Sequence, residues 1–194
     1  GFYKLIAMPI TYRANDNWCY NHEFGHIFNT QYIVDGEVTN NLYAQEYRRI
    51  KGLGGDRANW DEIMKRFKGE EFAMHYFERL AVLSQINIAY GYDAYAKASQ
   101  AVRDNKELFK SISGNDIQRL AVAYSLGLGV DLLDFFKGWN YCNIEITEQM
   151  IDAVSHLPKL DKKIEYLHSG AYDYTGNGFT EDIVVNVNTN VNEE

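Results

Sequence analysis

The chain has 194 residues, which indicates one domain, and 46% of them are hydrophobic, which is enough to form a core. Its formal net charge of −8 argues against the basic surface typical of nucleic-acid-binding proteins and of polybasic membrane-binding proteins. No apolar run reaches the roughly 18 residues of a membrane-spanning helix, and the first residues lack the basic start and cleavage pattern of a signal peptide.

The first elements predicted along the chain are a strand at Phe2–Ile10 and a helix at Asn17–Thr30. The helix contains the pentapeptide HEFGH. Positions i and i+4 of a helix share one face, so His22 and His26 can offer two imidazole nitrogens to one metal ion. Glu23 lies beside them, where a carboxylate can take a proton from water. This HExxH spacing predicts zinc-dependent hydrolysis, and the alternative is a helix with two surface histidines.

A second helix is predicted at Gly36–Ile50, and Glu37 at its start is the candidate third ligand. Ten residues separate His26 from Glu37, which is enough for the first helix to end and for the second to bring Glu37 back to the metal. Asn41 lies one turn after Glu37 on the same face, where it can hydrogen-bond to a histidine ligand and orient it. The alternative for Glu37 is a solvated glutamate favoured by the helix dipole.

The two cysteines do not predict a metal site. Cys19 and Cys142 show no CxxC spacing, and Cys19 is out of phase with the histidine face of its helix. The two thiols can pair in an exported protein or stay free and buried, and we favour the second interpretation.

The rest of the chain is predicted to be mostly helical, with a change of character near its end. A loop at Leu53–Asn59 follows the second helix, by its glycines and polar residues. The terminal segment alternates apolar and polar residues, as an edge strand or a linker does, and the stretch before it indicates a plain turn rather than a calcium loop. Helices are expected at Trp60–Phe67, over a longer stretch marked by Phe72, Tyr76, Leu80 and Leu83, after Gly91, after Asp116 with Ile117 and Tyr124 on it, at Asp131–Lys137 and from Thr147 to His156; the turn is at Tyr172–Asp182 and the alternating segment at Ile183–Val191.

The HExGH core, followed by a glutamate in the segment EVTNNLYAQEY, resembles the M60-like (enhancin-type) peptidases of the gluzincin group. The stretch from Asp131 to Pro158 is also similar to the closing helices of that family. This resemblance implies zinc as cofactor, with His22, His26 and Glu37 as ligands and Glu23 as general base. It also implies a secreted or cell-surface protein that acts on mucins and other O-glycosylated proteins.

These observations predict a mainly α fold with a minor β component (α+β), in which a helical lobe carries HExxH and a downstream glutamate helix. We expect a catalytic domain at residues 1–160 and a β- and turn-rich segment or linker at residues 161–194. Family catalytic domains usually have a substantial β-containing part before the HExGH helix, whereas 21 residues precede His22 here.

The predicted function is that of a zinc endopeptidase acting on a protein or glycoprotein substrate. The alternatives are a catalytically silent glycan- or protein-binding module and a gluzincin peptidase for non-glycosylated protein. Substrate-binding residues and oligomeric state are not predicted. A donor for the oxyanion of the tetrahedral intermediate is needed as well, and its candidates are His75, His156, His168, Tyr43, Tyr172 and Arg57.

Overall fold

The protein is described here from a computed structural model, which covers residues 18–53, 57–67, 70 and 73–168. Nine α-helices and two short 3₁₀ helices form most of this part of the chain. The 3₁₀ helices are Tyr141–Asn143 and Ile164–Tyr166. The α-helices, in chain order, are α1 (Trp18–Phe28), α2 (Gly36–Ile50), α3 (Trp60–Phe67), α4 (Tyr76–Tyr90), α5 (Ala94–Asp104), α6 (Lys106–Ser111), α7 (Asp116–Leu128), α8 (Leu133–Gly138) and α9 (Glu148–Val154).

The prediction of a mainly α fold is confirmed, and the minor β component is not seen in the described part. There, the only β-type pairing is an isolated parallel bridge between Asp131 and Lys159. The strand predicted at Phe2–Ile10, the turn at Tyr172–Asp182 and the alternating segment at Ile183–Val191 lie outside the described residues. None of the described helices combines the length and apolar character needed to cross a membrane.

Helix α4 is the central element of the fold. Every residue from Leu80 to Ile88 is buried, and the helix packs against α2, α3, α5 and the second 3₁₀ helix. Two helix pairs pack closely beside it: α1 packs on α2, and α5 packs on α7. A helix that is buried on all sides is typical of the core of a helical domain. Helix α2 therefore lies between the core and α1.

The ends of α1, α8 and α9 differ from prediction by two residues, and a local cap accounts for the difference at the start of α8. Helix α8 begins at Leu133, since the carboxylate of Asp131 accepts a hydrogen bond from the Leu133 N–H at 2.9 Å. Helix α9 begins after Thr147, whose hydroxyl accepts from the Met150 N–H at 3.4 Å, and ends at Val154 rather than His156. Helix α1 ends at Phe28 rather than Thr30. The short helices α6 and Tyr141–Asn143 were not predicted, because runs of this length carry little periodicity.

Both cysteines are free thiols, but the expectation that both are buried is wrong. Cys19 is exposed and Cys142 is half-buried. Helix α1 also exposes the large side chains of Phe24, Ile27 and Phe28. An apolar composition on this helix therefore does not mean burial, because only one of its faces packs on α2.

The beginning of the predicted C-terminal segment packs against the helical core. Ile164 and Leu167 are buried, and the Gln85 side chain donates from Nε2 to the carbonyl oxygens of Glu165 and Leu167, at 2.5 and 3.1 Å. Residues 169–194 lie outside the described part. The division of the chain at residue 160 remains a prediction.

Candidate metal centre

A close crossing of α1 and α2 brings the two predicted ligand segments together. A Cβ atom placed on Gly25 would lie 2.3 Å from the carbonyl oxygen of Asn40 and 2.7 Å from its Cα. No side chain fits in that space, so glycine at the fourth position of HEFGH lets the two backbones touch. The crossing places the histidine face of α1 against the first turns of α2.

The structure brings His22, His26 and Glu37 to one point. The Nε2 atom of His22 lies 2.9 Å from Oε2 of Glu37, and Nε2 of His26 lies 3.6 Å from the same oxygen. The potential ligand atoms of the three residues are all within 4.8 Å of one another. Ligands around a tetrahedral zinc with bonds of 2.0–2.1 Å lie roughly 3.3 Å apart, and the separations of 2.9 and 3.6 Å lie on either side of that value.

Asn41 determines which nitrogen of His22 faces this point. Its Nδ2 donates to the carbonyl oxygen of Glu37 at 2.6 Å, and its Oδ1 lies 2.6 Å from Nδ1 of His22. Because the oxygen can only accept, Nδ1 of His22 carries the proton and donates it. The lone pair of His22 is therefore on Nε2, the atom that faces Glu37. The sequence predicted a hydrogen bond between Asn41 and a histidine, and the role of Asn41 in orienting a metal ligand remains a prediction.

The chemistry of these atoms fits a divalent cation. With its proton on Nδ1, His22 presents a lone pair at Nε2 to a carboxylate oxygen only 2.9 Å away. Two such acceptors repel each other unless a cation or a proton lies between them. The side chains are 19%, 36% and 49% exposed for His22, His26 and Glu37, so the site is open to solvent on one side. Two imidazoles and one carboxylate form the ligand set of catalytic zinc sites that keep a position for water.

A buried polar cluster fixes the start of α2, two residues before Glu37. The carboxylate of Asp35 accepts hydrogen bonds from Arg79 Nη1 and from the Tyr141 hydroxyl, each at 2.6 Å. Its backbone carbonyl accepts from the Val38 N–H at 2.7 Å, in the first turn of the helix. Burial raises the pKa of Asp35, although the bonds from Tyr141 and Arg79 act against the shift. The Glu37 turn is thereby tied to α4 and to the Tyr141–Asn143 helix.

The other predicted residues are more dispersed. Glu23 is exposed on α1, next to His22. Of the oxyanion-donor candidates, Tyr43 donates its hydroxyl to the Phe28 carbonyl at 3.0 Å, and Arg57 lies 5.0 Å above the Trp18 ring, one turn before His22. The backbone N–H of His75 donates to Glu78 at the start of α4. The structure identifies none of these as the donor. His156 is exposed and His168 is half-buried, while Tyr172 lies outside the described residues.

Two residues of the site were missed in the sequence. Gly25 was noted only as part of the motif, and Asn40 was not considered. The amide nitrogen of Asn40 lies 2.9 Å from Nε2 of both His22 and His26. The available signal was the polar run Thr39-Asn40-Asn41 between the apolar residues Val38 and Leu42 of a predicted helix. A buried asparagine in such a position needs polar partners.

Known proteins show where this arrangement belongs. No curated protein matches the chain. Among solved structures, the chain is similar to the M60 catalytic domain with the CBM51-1 and CBM51-2 domains from Clostridium perfringens ZmpB, at 25% identity and a TM-score of 0.62. The match covers 87% of this chain and 19% of that one. The model of the family Peptidase M60, enhancin and enhancin-like, matches residues 7–140. The chain therefore belongs to this family of metallopeptidases.

Proposed function

We propose that the chain is the metal-binding part of a zinc endopeptidase, with His22, His26 and Glu37 as ligands. The observation that supports this most is the convergence of two Nε2 atoms and one carboxylate oxygen within 4.8 Å. Membership of a peptidase family adds a protein substrate and a hydrolytic reaction. The activity of the whole protein is part of the proposal, since the chain spans 19% of the solved relative.

Each residue of the proposed site is given a role in hydrolysis. Zinc bound at this point would act as a Lewis acid towards the scissile carbonyl and would lower the pKa of a water molecule. Glu23, exposed one residue after His22, takes the proton of the attacking water and passes it to the leaving amine. Asn41 holds the His22 ring with Nε2 directed at the site, as carboxylate and amide partners of metal-binding histidines commonly do.

The proposed substrates are mucin-like, O-glycosylated proteins outside the cell. This class comes from the resemblance of the HExGH and EVTNNLYAQEY segments to the M60-like peptidases. A secreted or surface location belongs to the same proposal. So does the division into a catalytic domain at residues 1–160 and a further segment at residues 161–194.

Metal content tests the ligand set directly. We expect elemental analysis of the purified chain supplied with zinc to give about one zinc per molecule, and Glu37→Ala to lose most of it, because two imidazoles alone leave the site short of a ligand. Glu107→Ala is the matched control, since Glu107 is another exposed helix glutamate, 84% exposed and paired with Lys110. A wild-type chain that takes up no zinc contradicts the proposal.

Glu23→Gln separates catalysis from metal binding. The amide cannot act as a base, so we expect unchanged zinc content and a loss of peptide cleavage of at least about a hundredfold. Cleavage is measured on a glycosylated peptide and on its bare counterpart. Equal rates on both would remove the glycoprotein part of the proposal, and a wild type that binds zinc and glycopeptide without cleaving it would indicate a silent binding module.

A further inference from the structure

The carboxamide of Asn40 lies between the two histidines, on atoms that the proposed metal would need. Its Nδ2 lies 2.9 Å from Nε2 of His22, 2.9 Å from Nε2 of His26 and 3.3 Å from the carbonyl oxygen of His22. Asn40 is 0% exposed. The two amide hydrogens thus serve three acceptors, and two of these are the proposed ligand atoms.

The orientation of this amide is determined by its surroundings. Within the part of the chain that the structure describes, Oδ1 of Asn40 is buried and has no hydrogen-bond partner. The reversed orientation would direct Oδ1 at the carbonyl oxygen and Nε2 of His22, both of which are acceptors. A buried carbonyl oxygen without a hydrogen-bond partner is unfavourable. The observed orientation is nevertheless favoured, because it directs the N–H groups of Asn40 at Nε2 of both histidines and at the carbonyl oxygen of His22.

The backbone of Asn40 packs directly against α1. Its Cα and carbonyl oxygen face Gly25 so closely that a single added Cβ would overlap them. Rotation of the side chain moves the amide nitrogen away from the histidines without separating the two helices. A change of partner at His22 and His26 can therefore be accommodated by the torsions of this one side chain.

We propose that Asn40 is a positioning residue that competes with the metal for the Nε2 lone pairs of His22 and His26. A lone pair that accepts a hydrogen bond cannot bind zinc at the same time, so the two states exclude each other. When no metal is bound, the hydrogen bonds from Asn40 keep Nε2 of both rings directed at the site. They weaken metal binding by the free energy with which they stabilise the metal-free state. The inference rests on the proposed zinc centre and names a residue outside its ligand set.

The affinity for zinc ions, measured by competition with a chromophoric chelator, tests the inference. Asn40→Leu keeps a side chain of similar size and removes the donor, so we expect zinc to bind roughly tenfold more tightly, equivalent to about 1.4 kcal/mol. The melting temperature without zinc should fall. Asn87→Leu is the matched control, because Asn87 is 1% exposed in the middle of α4 and its Oδ1 also lacks a partner among the described residues. It should leave zinc affinity unchanged.

A measurement on the wild type applies even if Asn40→Leu does not fold. The side-chain amide protons of Asn40, followed by NMR, should be protected from hydrogen exchange without zinc and should lose that protection when zinc is added. Protection that zinc leaves unchanged overturns the inference. So does zinc affinity that Asn40→Leu leaves unaltered or lowers. If the wild type binds no zinc, the proposed function itself is overturned. If the wild type and Asn40→Leu bind zinc with the same affinity, only this inference is overturned.

Discussion

The α1–α2 and α5–α7 pairs use the same device to bring two helices into backbone contact. In the first pair a Cβ on Gly25 would lie 2.3 Å from the carbonyl oxygen of Asn40. In the second, a Cβ on Gly127 would lie 2.6 Å from the carbonyl carbon of Lys97 and 2.7 Å from the Ala98 nitrogen. Each glycine thus faces the backbone of a neighbouring helix. Close approach of this kind is a packing solution and does not in itself indicate function.

The two pairs differ in what their helices bury. The buried residues of α5 and α7 are mainly alanine, valine, leucine and tyrosine. Helix α2 buries four polar residues, namely Thr39, Asn40, Asn41 and Gln45. Polar groups are costly to bury unless they are hydrogen-bonded, and the asparagines here point to the histidines of α1. A tight crossing becomes a site only where the residues beside the glycine carry polar chemistry.

Replacing each glycine with alanine has the largest expected effect on stability. Comparing the two variants also shows whether zinc binding depends on the α1–α2 crossing. Gly25→Ala and Gly127→Ala both force a methyl group into backbone atoms, so each should lower the free energy of unfolding by at least about 1–3 kcal/mol. Separation of α1 from α2 also moves the histidines away from Glu37. We therefore expect folded Gly25→Ala to lose zinc binding and folded Gly127→Ala to keep it, as measured by urea unfolding and zinc titration. Intact zinc affinity in Gly25→Ala would mean that the crossing does not position the ligands.

Asn41→Ala removes one polar side chain between α1 and α2 with little change in packing, and so tests whether its hydrogen bond to His22 supports zinc binding. Removing the acceptor of the His22 Nδ1 proton frees the ring to rotate and to change tautomer, so zinc affinity should fall about 10–100-fold. Asn105→Ala is the matched control, since Asn105 Nδ2 makes the same type of bond to the carbonyl four residues earlier, at 2.9 Å. If both variants bind zinc equally well, Asn41 contributes only its hydrogen bond to the Glu37 carbonyl within α2.

The sequence was sufficient for the parts of the site that depend on helical spacing. His22 and His26 share a face because they are four residues apart, and the same holds for Glu37 and Asn41. Contacts between distant segments were not predictable in this way. The bonds from Asp35 to Arg79 and Tyr141 join residues 44 and 106 positions apart. The need for glycine at position 25 likewise arises only when α2 crosses it, so a one-dimensional pattern could not reveal it.

Tyr95 links the two helix pairs, and its replacement has the smallest expected effect. From α5, its hydroxyl accepts from the Thr30 N–H and donates to the Ile33 carbonyl, each at 3.4 Å, in the loop between α1 and α2. Burial raises the pKa of Tyr95 to about 12, whereas an unfolded chain has a tyrosine pKa of about 10. The folded state therefore holds this proton more tightly, and the resulting stability is complete below about pH 10 and is lost as pH rises towards 12.

Tyr95→Phe removes this contribution, so the variant should lose about 1 kcal/mol less stability than the wild type between about pH 8 and pH 11. Urea unfolding at several pH values in this range measures the difference, and Tyr76→Phe, which changes an exposed ring, is the control. Two further buried tyrosines of the described residues, Tyr124 and Tyr141, also have a raised pKa because of burial, so wild type and variant should both still lose stability in alkali. Parallel pH profiles for wild type and Tyr95→Phe would contradict the prediction. A divergence with zinc affinity unchanged would show that the loop between α1 and α2 can loosen without disturbing the ligands, because Gly25 and Asn40 hold the crossing by themselves.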